Sequence, residues 1–150
     1  MKVDVTTEIL IDRPLSEVSA YATDPDNAPR WYANIRSVEW KTQPPAQRGS
    51  LVAFVAQFLG KRLAYTYEIA EHSPGRRLVM RTQEGPFPME TTYTWAEDSP
   101  TTTRMTLRNA GEPAGFSAVA APVMSVAMRR ANRKDLANLK AILERAQPSP

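Results

Sequence analysis

Cysteine is absent from this 150-residue chain, and histidine occurs once, at His72. The first absence excludes disulfides, thiolate zinc sites and a cysteine nucleophile. The second removes any two-histidine metal arrangement, including the facial triad of non-haem iron enzymes. No metal site and no cofactor are expected. Long apolar runs are also missing, so no segment reads as a bilayer span. The opening Met1-Lys-Val-Asp-Val-Thr-Thr-Glu is charged and alternating rather than basic then apolar. It does not read as a secretion signal, and the expected location is cytoplasmic.

Charge of either sign is nearly balanced. The net charge is +3 and the pI is near 9.4. Much of the excess sits in Arg129, Arg130, Arg133 and Lys134. A nucleic-acid surface would carry more basic residues, interleaved with aromatics or glycines, so no nucleic-acid partner is expected. The cluster reads as a solvated helix face.

What is present is a regular pattern. Val3, Val5, Thr7, Ile9 and Ile11 alternate with polar residues, which predicts a half-buried strand. Pro14 then suits the first turn of a helix over Leu15–Ala22, and a second short turn leads out through Arg30–Asn34. Strands are predicted over 35–41, 50–58, 62–71, 76–84, 89–97 and 102–109, separated by Pro- and Gly-bearing turns. Strands grouped ahead of a terminal helix indicate an α+β fold, an antiparallel meander in one domain over 1–147 with a frayed tail at 148–150.

The last element is predicted to run from about Phe116 to Ala146, with Pro122 kinking it or marking a restart. Met128, Leu136, Leu139, Leu143 and Ala146 fall on one stripe at helical spacing. Phe116–Met128 is nearly free of charge on every side. It reads as a lid, a homodimer contact, or a helix covered by the Gly85–Met89 loop, the last being favoured.

Strand parity separates an inward set from an outward one. The inward residues are rich in Tyr, Trp and Met rather than Ile and Leu. Tyr and Trp carry polar atoms that need partners when buried, and Met adapts to irregular shapes. Asn132 interrupts the helix stripe, with Met128 and Leu136 four residues to either side. A buried amide is costly unless hydrogen-bonded. These features fit an apolar pocket with a few placed polar groups. They also fit a solid core in which Asn132 bonds to Tyr65, to Tyr67 or to a neighbouring carbonyl.

Several motifs then resemble one family along nearly the whole chain. Asp12-Arg-Pro-Leu-Ser-Glu-Val is similar to its "strand, then Pro-x-x-x-Val" entry to the first helix, and Asp24 to Trp31 to its Asp-rich turn and tryptophan. Gln47-Arg-Gly-Ser, Leu59-Gly-Lys-Arg, His72-Ser-Pro-Gly-Arg-Arg-Leu and Asp135-Leu-Ala-Asn-Leu-Lys-Ala-Ile-Leu-Glu resemble its recurring turn and helix motifs. The chain thus resembles the START-like (SRPBCC) superfamily of polyketide cyclase/dehydrase and lipid-transport proteins. That resemblance implies a helix-grip, Bet v 1-like fold: a seven-stranded curved antiparallel sheet around a long C-terminal helix, with two short helices between the first two strands and a deep cavity inside. It names no reaction, because such folds host carriers, sensors, cyclases and co-chaperone modules.

The first functional reading is binding of a small hydrophobic molecule of lipid, polyketide or isoprenoid type, without stable membrane insertion. Trp40, Phe54, Phe58, Tyr65, Tyr67, Met80, Thr82, Met89, Tyr93, Met128 and Asn132 are the expected ligand-binding residues. The alternative is a polyketide cyclase or dehydratase, which needs a base beside a carbonyl and a donor for the enolate. No carboxylate is central by pattern. Glu84 lies at a strand end and His72 in a turn. A third reading, a protein-interaction module, needs an exposed apolar patch.

Overall fold

The computed structural model describes residues 3–84, 88–112 and 121–145, so the expected tail at 148–150 and the loop centred on Pro86 lie outside it. β1 (Val3–Ile11) leads into α1 (Leu15–Thr23), a 3-10 turn (Pro25–Asn27) and α2 (Ala28–Trp31). β2 (Ile35–Trp40), β3 (Leu51–Phe58), β4 (Lys61–Ser73), β5 (Arg77–Glu84), β6 (Met89–Ser99) and β7 (Thr102–Gly111) follow, and α3 (Ala121–Arg145) closes the described fold.

The strands form one seven-stranded antiparallel sheet in the order β1-β7-β6-β5-β4-β3-β2. Consecutive hairpins build β2 to β7, and β1 adds to the free edge of β7, leaving β1 and β2 as edges. The outer face is stitched across strands by Arg108 to Asp4, Arg104 to Glu8 and Arg81 to Glu90. These exposed pairs set register more than stability.

Two local features bear on the expected pattern. Ala70 is a bulge in β4: Ile69 pairs with Met80, but Glu71 pairs with Val79. The extra residue carries β4 on to Ser73, so His72 lies in the strand opposite Leu78 rather than in a turn. Pro122 is the second residue of described α3, and the stretch before it, Phe116–Ala120, on which the expected kink or restart turns, lies outside the described residues.

The inner face of the sheet meets α3 in two clusters. Leu136, Leu139 and Leu143 pack with Ile11, Trp95, Met105 and Leu107. Met124 and Met128 pack with Val3, Val5, Leu63, Tyr65 and Met89. A third group, Ala28, Val52 and Phe54, joins α2 to the β2 side of the sheet.

Candidate functional site

A cavity of about 160 Å³ lies between the inner face of the sheet, α1–α2 and α3. Its wall is mostly apolar, because alternate residues of β3 to β6 point inward and α3 offers methionine and alanine there. Nine of the eleven expected residues border it: Phe54, Phe58, Tyr65, Tyr67, Met80, Met89, Tyr93, Met128 and Asn132. Trp40 does not. It ends the edge strand β2, beyond the reach of α3, and its indole N–H donates to Asp26 Oδ1 at 2.9 Å. Thr82 does not either. It pairs with Tyr67 on the sheet, and its hydroxyl accepts from the backbone N–H of Met89 at 3.0 Å, tying β5 to β6.

Three polar groups interrupt the apolar wall. The first is a chain running across the sheet to the helix. The Thr91 hydroxyl donates to Asn109 Oδ1 at 2.6 Å, and Asn109 Nδ2 donates to Asn132 Oδ1 at 3.0 Å. Tyr67 joins it through a hydrogen bond to Thr91. Burial pushes the Tyr67 phenol up to about 12, that bond opposing the shift. Asn132 is only 3 % exposed, yet among the described residues its Nδ2 has no partner. A buried donor left unmade costs about 1–3 kcal/mol. Asn132 is thus a cavity-lining residue that holds an unmatched N–H.

The second group is a hydroxyl pair. Tyr32 and Tyr93 lie 2.6 Å apart, oxygen to oxygen, with the Trp31 ring tilted against both. Burial keeps both phenols protonated well above the ordinary tyrosine range; the neighbouring Tyr93 adds to the shift at Tyr32, whereas the bond from Tyr32 opposes it at Tyr93. They act as neutral hydrogen-bonding groups.

The third is Asp135. It is buried, lines the cavity, and accepts the Ala33 N–H at 2.9 Å. Burial raises its pKa from 3.8 to about 6, opposed by that bond and by the charge of Lys134. Pattern reading found no central carboxylate, and this one answers that search. Its signal was present: Asp135 lies seven residues after Met128 and four before Leu139, on the same helical stripe. Asn109, Thr91 and Tyr32 are further cavity residues outside the expected set.

His72 lies away from this cavity, in a surface groove with Leu15 and Pro74. The Glu84 side chain is outside the described residues. Among the described residues no cluster of three or more His, Asp or Glu could hold a metal ion, and no helix is long and apolar enough to cross a membrane.

Fold and cavity together define a class: a helix-grip α+β protein with a mainly apolar internal site. The family model for polyketide cyclase/dehydrase and lipid transport matches residues 2–144, and the chain belongs to that family. At that level its members bind hydrophobic molecules or cyclise polyketides. Solved structures share the fold at low identity. A START superfamily protein from Mycobacterium smegmatis is 13% identical, with TM-score 0.82 over 96% of this chain and 99% of that one. The Zhui aromatase/cyclase from Streptomyces sp. R1128 is 16% identical, with TM-score 0.79 over 97% and 95%. Major latex-like protein 151 from Panax ginseng is 14% identical, with TM-score 0.73 over 93% and 96%. Comparison with curated proteins finds no match.

Proposed function

We propose that this chain binds a small, mainly apolar molecule that carries one hydrogen-bond acceptor, with that acceptor on Asn132 Nδ2. The observation that carries the reading is the buried amide of Asn132, without a partner among the described residues, in the lining of a mainly apolar cavity. A carbonyl or ether oxygen there would complete the Thr91–Asn109–Asn132 chain. The volume supports a modest ligand. An apolar cavity of roughly 150 Å³ takes up benzene, so the buried part is about one ring or an equivalent branched chain. Phe54, Tyr65, Met80 and Met128 supply the apolar contact. A cytoplasmic location and a small-molecule partner rather than nucleic acid go with this reading. Native mass spectrometry of gently purified protein tests it. A stoichiometric apolar passenger is expected, and loss of that passenger in Asn132→Leu with the fold intact. A protein that carries nothing and takes up no apolar ketone contradicts it.

A second reading rests on Asp135. A buried carboxylate with its pKa near 6 is part carboxylate, part acid at neutral pH and can take a proton beside a carbonyl. Asn132 Nδ2 or the Tyr32–Tyr93 pair would steady the resulting enolate, as aldol ring closure and dehydration require. Exchange of the methyl protons of acetophenone in heavy water checks this. Protein-dependent exchange should rise through pH 6 and vanish in Asp135→Asn. Exchange equal to that of buffer leaves a binding module without this chemistry.

A further inference from the structure

The end of the sheet walled by Phe58, Leu63, Met89 and Met124 carries a surface that the cavity does not explain. Val123 and Val126 on α3 are 59% and 58% exposed, and Leu59 in the β3–β4 turn is 50% exposed. The two elements meet there, since Phe58 and Leu63, on either side of that turn, share a cluster with Met124 and Met128. Leu59 is an unusual choice. Phe58 pairs with Lys61, so Leu59 and Gly60 form a two-residue hairpin turn, with φ of +50° and +79°. Such turns favour Asn, Asp or Gly at both positions, and a leucine at positive φ is strained. The chain keeps an apolar, exposed side chain where the backbone disfavours it.

Cationic residues lie close in sequence to these side chains on both elements. Arg62 lies next to the turn, and α3 presents Arg129, Arg130, Arg133 and Lys134 within two turns of Val126. Among the described residues none of the four arginines forms an ion pair, in contrast to the arginines of the sheet's outer face. The pairs Arg129/Arg133 and Arg130/Lys134 are like charges at i,i+4, which weaken a helix. Asp135 is turned inward to Ala33; at the described end of β7 Glu112 is exposed, and Asp4, opposite Ala110, is already paired with Arg108.

We propose that this end of the molecule is a peripheral docking surface for an anionic lipid bilayer, with Leu59, Val123 and Val126 entering the headgroup region and the arginines meeting lipid phosphates. Apolar tips ringed by long cationic side chains suit that interface, whose weak apolar and electrostatic terms act together. A second copy of the chain would oppose cation to cation. A flat acidic protein would satisfy the arginines but not the three protruding apolar side chains. Docking here sets the sheet end that borders the cavity against the membrane, whatever the cavity holds.

Vesicle co-sedimentation of the intact chain tests this, with vesicles of phosphatidylcholine alone or mixed with phosphatidylglycerol. Binding only to the anionic vesicles, released at roughly 0.5 M salt, is expected. Arg130→Gln and Arg133→Gln should each weaken it roughly five-fold. Leu59→Asn should also weaken it several-fold while holding or raising Tm, because asparagine suits the turn; misfolding cannot then account for the loss. Equal binding to both vesicle types, binding indifferent to these variants, or retention on soluble polyglutamate with none on vesicles overturns the proposal.

Discussion

Two halves of α3 face the same sheet and do different things. The C-terminal half presents Leu136, Leu139 and Leu143 to Ile11, Met105 and Leu107, all of them buried, in a packed core. The part before Leu136 presents Met124 and Met128 to Tyr65, Tyr67 and Met89, brings Asn132 to Asn109 and Asp135 to Ala33, and there the sheet and helix leave a cavity. Branched aliphatic side chains interlock and exclude space, whereas phenols and amides must keep hydrogen-bonding geometry and cannot collapse onto a gap. One helix thus serves as lock at one end and cavity wall at the other. The Leu half holds the fold, and the Met/Asn/Asp half can spend stability on a site.

The largest expected effect separates the two directly. Leu139→Ala removes a side chain with no exposure from the packed half and should lose about 3–4 kcal/mol. Met128→Ala enlarges a space that already exists, so it should lose about 1–2 kcal/mol, near or below the low end for such truncations. Chemical denaturation of both variants checks the ranking, and equal losses would erase the distinction.

Asp135→Asn should change stability in the opposite sense. Its carboxyl is raised from 3.8 to about 6 in the folded chain, so between those values the folded state binds more protons than the unfolded one. Stability from this group therefore falls as pH rises through that window and is lowest above pH 6. The amide is neutral throughout and still accepts the Ala33 N–H. The variant should gain up to about 3 kcal/mol at neutral pH and lose most of that advantage near pH 4. Thermal melts at several pH values read this out. A variant that is less stable at neutral pH would make Asp135 a structural anion.

Much of this arrangement is legible in the residues, and the misses have physical causes. Period-two alternation and Pro/Gly turns mark the strands, and parity identifies the inward face because one face is buried. Parity does not say how far along or across the sheet the helix reaches, so Trp40 at an edge and Thr82 at a strand junction look equivalent to Tyr65. The bulge at Ala70 leaves no mark in composition, which is why His72 reads as a turn residue. Asp135 follows Arg133 and Lys134 in sequence and so resembles a solvated charge run, although its helical spacing puts it on the buried stripe. Asn132 was visible because an amide inside an apolar stripe needs a partner, and its unmatched N–H follows from Asn109 satisfying only its oxygen.

The central claim is that the cavity half of α3 holds an apolar molecule by one acceptor on Asn132. Calorimetric titration of acetophenone and ethylbenzene, which differ chiefly in the carbonyl, tests it most directly when run on the native chain and on Asn132→Leu. The account predicts that the native chain prefers the ketone roughly tenfold, worth about 1.4 kcal/mol for one hydrogen bond, and that the variant loses the preference while still binding the hydrocarbon. Equal affinity for both compounds in the native chain, or a ketone preference that survives Asn132→Leu, would contradict it.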